Sequence, residues 1–124
     1  MEKILDWKLP IKIHNEANST EHWTKKHKRH QEQKRQLGYA WVQKNPPAIP
    51  LPCHIILTRI APRKLDLNDN LTMGFKWILD AISERIIPGL AIGRADGDER
   101  ITVQYKHEKG QVREYAMIIE IYGK

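Results

Sequence analysis

Two short stretches of the chain gather carboxylates at the edges of what patterning marks as regular structure. Asp66 and Asp69 lie in Asp66-Leu67-Asn68-Asp69-Asn70, ahead of an amphipathic run, and Asp96 and Asp98 lie in Arg94-Ala95-Asp96-Gly97-Asp98-Glu99-Arg100, ahead of a β-branched run. Carboxylate oxygens suit Mg²⁺, and one or two such ions activate water, neutralise a scissile phosphate and stabilise the leaving oxygen. The chemistry this pattern suits is metal-assisted phosphodiester hydrolysis. Taken alone, either cluster is more often structural than catalytic: Asn68 or Asp69 caps a helix, and Gly97 makes a turn. Acids on a basic protein gain a purpose together, because they repel DNA unless a metal ion inverts the local charge. Lys76 stands seven residues beyond Asp69, two helical turns along the same side, where an ammonium can meet a phosphate oxygen. A single lysine there is otherwise an ordinary solvent-facing partner of Asp80 at i+4.

A second group could follow a polyanion. Between Thr24 and Gln36, Lys25, Lys26, Lys28, Arg29, Lys34 and Arg35 are opposed only by Glu32. On a helix wheel Trp23, His30, Leu37 and Trp41 share one narrow sector, so one stripe packs and the remainder is wetted. A solvated face normally interleaves both signs, and this imbalance suits a surface that tracks phosphates. Arg63 and Lys64, at the exit of a predicted strand, join the set of DNA-binding candidates. His22, His27 and His30 make a poor zinc site, since no cysteine or second histidine pair completes it; partial protonation would instead add to the phosphate-facing charge.

The chain as a whole agrees with such a partner. Its 124 residues fit one domain, and 40% apolar with 29% charged residues describes a globular protein. Lys and Arg number 21 against 15 Asp and Glu, a net charge of +6, which makes nucleic acid the first expectation and an anionic membrane the second. No apolar stretch approaches the roughly 20 residues a spanning helix requires. Met1 to Ile13 is broken by Glu2, Lys3, Asp6, Lys8 and Lys12, so it lacks the apolar core of a secretory signal, and the expected location is cytoplasmic. Cys53 has no second cysteine to pair with and sits in an apolar run, where a buried thiol is expected.

The elements that must position these groups follow from periodicity. Leu5 to His14 is a predicted strand with Ile11 and Ile13 alternating around Lys12. Asn18 with Glu21 three residues on forms a capping box for a helix from about Ser19 to Gln43, which ends at Asn45-Pro46-Pro47. Cys53 to Ile60 is a second strand. Leu71, Phe75, Ile78, Leu79, Ile82 and Ile86 recur at three and four, marking a helix that Pro88-Gly89 stops. Strands over Ile101 to His107 and Val112 to Tyr122 are expected to form a hairpin through Glu108-Lys109-Gly110-Gln111. The expected fold is α+β: a single domain in the order β-α-β-α-β-β, a mixed sheet with helices packed on it.

Leu65-Asp66-Leu67-Asn68-Asp69-Asn70-Leu71, with Phe75-Lys76 and Asp80-Ala81-Ile82 behind it, resembles the signature of the RusA family of Holliday-junction resolvases. In that signature Asp-x-Asp-Asn-Leu opens a helix that bears a lysine, and an acidic turn precedes a later strand. Asp96-Gly97-Asp98-Glu99-Arg100-Ile101 is similar to that turn, and Asn18-Ser19-Thr20-Glu21-His22-Trp23 with its basic tail resembles phage-type members. The resemblance spans most of the chain. It implies a homodimer that binds four-way DNA junctions and makes paired nicks with Mg²⁺, with no membrane and no small-molecule substrate involved. Asp69 and Asp98 take the catalytic metal positions, Asp66 or Asp96 supplies the additional ligand, and Lys76 assists at the phosphate. Asp66 precedes Asp69 by three residues where the signature has two, Gly97 separates acids that are adjacent in many members, and Lys76 falls one helical turn later than the signature's lysine. A non-catalytic DNA-binding protein of the same fold is the alternative. A small RNA-binding module ranks last, because no glycine-aromatic strand motif is present.

Overall fold

One strand is buried on both faces, and that decides where it sits. In the computed structural model, which describes residues 2–13, 23–63, 70–87 and 99–123, Cys53–Ala61 buries every residue except His54. The described elements run β1 (Glu2–Leu9), α1 (Trp23–Lys44), β2 (Cys53–Ala61), α2 (Asn70–Ile86), β3 (Ile101–Lys109) and β4 (Ala116–Gly123). They form an α+β arrangement with the expected β-α-β-α-β-β order. The sheet order is β1-β4-β2-β3, with β2 parallel to β3 and β4 antiparallel to both β1 and β2. Strands β1, β2 and β3 therefore point the same way, and the chain leaves β1 and β2 toward the two helices at one common end.

Both helices cover one face. Leu5, Leu9, Ile55, Leu57, Ile119 and Ile121 from the sheet join Leu37 of α1 and Phe75, Ile78 and Ile82 of α2 in a single core. The positions spaced at three and four along α2 are those that reach it: Leu71, Phe75, Ile78 and Ile82 have no exposed surface. Phe75 also stacks on Tyr105 at 5.8 Å. Phe75→Ala should cost about 3–5 kcal/mol through lost transfer energy and the cavity left behind, measured by urea unfolding; a loss below about 1 kcal/mol would show that the core collapses around the gap. Among the described residues no helix is long and apolar enough to cross a membrane.

Several boundaries differ from those read in the sequence. The predicted hairpin between β3 and β4 does not form, because β2 lies between them and pairs with each. The connection instead crosses the end of β2, where the Gly110 N–H donates to the Ala61 carbonyl at 2.9 Å. A side chain at Gly110 would meet Glu114 Oε1 at 2.8 Å and Ile60 at 3.0 Å, which is why glycine stands there. The turn continues with Arg113 at φ 63 and the Gln111 N–H donating to Glu114 Oε1 at 2.9 Å, so β4 starts at Ala116 rather than Val112.

The first strand runs from Glu2 to Leu9 and not from Leu5 to His14. Its partner β4 runs out at Leu9↔Met117, and Pro10 has no N–H to continue a ladder. The alternation at Ile11 and Ile13 is nevertheless real, since both are buried, at 3% and 1% exposure. Side chains replace the missing strand: Gln33 Nε2 donates to the Lys12 carbonyl and Arg59 Nε to the Ile13 carbonyl, both at 2.9 Å.

Helix α1 ends one residue beyond Gln43, and Asn45 adopts φ 47 with its N–H on the Trp41 carbonyl at 2.9 Å, a left-handed cap before Pro46. The capping box at Asn18 and Glu21 lies outside the described residues. On this helix His30, Gln33 and Leu37 are buried and Trp41 packs on Trp7 at 6.1 Å, yet Trp23, placed by the wheel on the same stripe, is 70% exposed. His30 lies against Trp77 at 4.6 Å, so one heptad earlier Trp23 is level with Asn70, where α2 begins and its packing surface ends.

Candidate nucleic-acid interface and acidic segments

The packing of α1 places its basic turns relative to the sheet. Trp41 meets the middle of β1 and Gln33 meets Lys12 beyond the end of β1, so α1 runs back along the sheet and carries residues 23–29 past the common end of β1 and β2. Lys25 and Lys28 are exposed, and Lys26 and Arg29 are half-buried. No acidic partner stands beside Lys25, Lys26 or Lys28 among the described residues. Arg29 and Lys12 line a cleft of about 270 Å³ together with Ile11 and Glu32.

The second half of the basic run is different. Arg35 holds Glu32 through Nε at 2.9 Å and Nη2 at 2.5 Å, which lowers the Glu32 carboxyl from its ordinary pKa and raises that of the guanidinium. Lys34 faces Glu84 of α2 at 3.8 Å. Among the described residues, the positive charge that no acid faces is thus concentrated at Lys25, Lys26 and Lys28. His27 is exposed, whereas His30, expected among the phosphate-facing groups, is turned inward at 9% exposure and stacked on Trp77. Its aromatic face serves the α1–α2 contact, which excludes it from a wetted surface. His22 lies outside the described residues.

Asp66, Asp69, Asp96, Asp98 and Lys64 also lie outside the described residues, but the points where the chain enters and leaves their segments are defined. Arg63, exposed, follows β2 at the end where Ala61 pairs with Lys109. Ile101 opens β3 at the other end, beside Cys53, whose N–H donates to the Arg100 carbonyl at 2.9 Å. At about 3.3 Å per residue, those two ends of β2 are roughly 26 Å apart. Lys76 is exposed on α2 between buried Phe75 and half-buried Trp77, while Asp80 on the same helix is buried at 5%. Among the described residues no three His, Cys, Asp or Glu side chains converge on a metal position.

Arg59 had no place among the residues singled out from sequence. It lies in the apolar strand β2 at 6% exposure, and burial pulls its guanidinium down from its ordinary pKa, with Tyr115 acting in the opposite sense. Nε donates to the Ile13 carbonyl at 2.9 Å, Nη1 to the Arg63 carbonyl at 2.6 Å, and a longer contact of 3.5 Å reaches His107 Nδ1. The signal that marks it is a lone arginine within a β-branched run, since a charge is buried only where bonds compensate it.

The chain matches no known protein family, no curated protein and no solved structure.

Proposed function

We propose that the protein is a Mg²⁺-dependent, structure-selective endodeoxyribonuclease that resolves four-way DNA junctions by paired nicks, as the resemblance to RusA-type resolvases implies. The observation that carries this reading is the meeting of two features at one end of the sheet. Lys25, Lys26 and Lys28, which face no acid among the described residues, project past the common end of β1 and β2, and β2 delivers the chain there, through Arg63, into the segment of Asp66 and Asp69. A phosphate backbone held by the lysines would pass the point at which the chain enters that segment.

In this reading the basic turns of α1, with Arg63 and Lys64, bind phosphates and carry no sequence preference, as backbone contacts position a duplex without reading its bases. Asp69 and Asp98, with Asp66 or Asp96, hold the metal; their donors are all hard oxygens, the set that Mg²⁺ takes. Bound Mg²⁺ supplies charge neutralisation at the scissile phosphate and an activated water. Lys76, exposed on α2, pairs with a phosphate oxygen.

The topology favours a homodimer. Within one protomer the two acidic segments join the sheet at ends roughly 26 Å apart, and they would share an ion only if both connections ran nearly extended along it. A two-fold dimer that sets the Asp66–Asp69 segment of one protomer against the Asp96–Asp98 segment of its partner removes that demand, and it supplies two matched sites for a two-fold substrate.

The deciding experiment compares a synthetic four-way junction with a linear duplex of the same sequence, each with and without Mg²⁺. Paired nicks in the junction alone, dependent on Mg²⁺, are expected. Salt-sensitive junction binding without nicking at any Mg²⁺ concentration would replace this reading with that of a non-catalytic DNA-binding protein, which the charge on α1 supports equally. Sedimentation is expected to show a dimer of the 14.6 kDa chain, and junction cleavage by a species that remains monomeric would overturn the shared-site arrangement.

A further inference from the structure

We propose that Arg59 is the positioning residue at the end of the sheet where the chain enters the Asp66–Asp69 segment: one buried guanidinium, bonded to the carbonyls of Ile13 and Arg63, fixes the points at which the chain leaves β1 and β2. The consequence for a metal site rests on the nuclease reading above, whereas the anchoring itself does not.

Packing alone would place an apolar residue at position 59, since the neighbouring inward positions of β2, Cys53, Ile55 and Leu57, are apolar with no exposed surface. A buried guanidinium loses its hydration, a heavy cost unless its donors are used. Here they are used on two main-chain carbonyls that no strand takes, because the β1 ladder stops at Leu9↔Met117 and the β2–β3 ladder stops at Ala61↔Lys109. Ile13 and Arg63 are far apart in the chain, and a planar fork of donors spans them where the point charge of a lysine reaches one at a time. Gln33 holds the Lys12 carbonyl from the helix side, so the segment after β1 is gripped from both sides.

Position and charge give the anchor its role. Arg63 stands three residues before Asp66, so holding its carbonyl sets where the acidic segment departs from the sheet. Arg59 has no carboxylate partner among the described residues, and an arginine stays protonated in proteins, so its full positive charge remains at that end. The contact with His107, its register partner on β3, ties the same point to the neighbouring parallel strand.

Native-state proteolysis tests the anchor without reference to activity. The carbonyl that Arg59 holds belongs to the bond after Arg63, the bond an arginine-specific protease cuts, and Arg63 is exposed. In Arg59→Met, well below the melting temperature, cleavage after Arg63 should rise about tenfold or more, the effect of losing a buried bond from a charged donor. Cleavage after Arg113, exposed in the turn before β4, should stay at the parent rate. An equal rise at both sites, or no rise at Arg63, overturns the proposal. Should Arg59→Met fail to fold, Arg59→Lys keeps the charge and is expected to free the same bond. The second readout is the Mg²⁺ concentration for half-maximal junction nicking: Arg59→Lys should raise it about tenfold, the size of an outer-shell effect on a metal. Junction affinity in Ca²⁺ should hold at the parent value, and an unchanged Mg²⁺ dependence overturns the link to the metal. A parent protein that never nicks would sink the nuclease reading, with cleavage at Arg63 still deciding the fate of the anchor.

Discussion

Asp69→Asn and Asp98→Asn should each reduce junction nicking by roughly 10²–10³-fold, the loss that follows removal of one preorganised electrostatic partner of a transition state. Each substitution keeps the shape of the side chain and removes its charge, so the junction should still bind, and more tightly where the lost carboxylate had repelled phosphate. Mixing the two inactive proteins tells more. If an active site joins the Asp66–Asp69 segment of one protomer to the Asp96–Asp98 segment of its partner, about half of randomly mixed dimers contain one wholly intact site beside one carrying both substitutions. Those dimers should nick one strand without completing paired resolution. No recovery on mixing, from variants proven to exchange protomers, would place each site within a single chain. Asp69 immediately precedes α2 and a lost cap costs about 1 kcal/mol, so a thermal melt must accompany its assay.

Charge reversal at Lys28 and Arg29 should weaken junction binding at about 0.1 M salt by on the order of a hundredfold and flatten the log–log dependence on salt by about 0.9 for each phosphate no longer neutralised. Reversal at Lys34 and Arg35 should have a smaller effect, because Glu84 and Glu32 already pair with them. Fluorescence anisotropy with a labelled junction across a salt series measures both pairs. Equal weakening by the two double variants would show that the ion pairs of α1 open on binding; an unchanged slope for Lys28→Glu/Arg29→Glu would remove the helix from the interface.

These two expectations differ in how far sequence alone could lead to them. The basic run is visible by counting, yet counting within a window of α1 finds one opposing acid and misses Glu84, which reaches Lys34 from another helix. The wheel correctly brings His30 and Leu37 onto one stripe, and it misplaces Trp23 because a wheel has no knowledge of where the partner helix begins. The acidic segments are visible as composition. That the chain enters the first of them and leaves the second at opposite ends of β2 is not, since it follows from β2 and β3 running parallel, with α2 carrying the chain from one end of the sheet to the other.

The same division holds for the fold. Apolar spacing of two or of three and four is a local property, fixed by side-chain direction along strand and helix, and it suffices to specify six elements, their order and their α+β class. Pairing is not local. Neighbouring strands in sequence favour a hairpin, but β2 is buried on both faces and takes an interior place between β3 and β4, while β3, with Gln104, Lys106 and Glu108 exposed, suits an edge. Arg59 shows the limit most clearly. Its residue type in an apolar strand declares that something must compensate a buried charge, but the compensating carbonyls are set by how the distant segment at Ile13 and the nearby exit of β2 at Arg63 close around it.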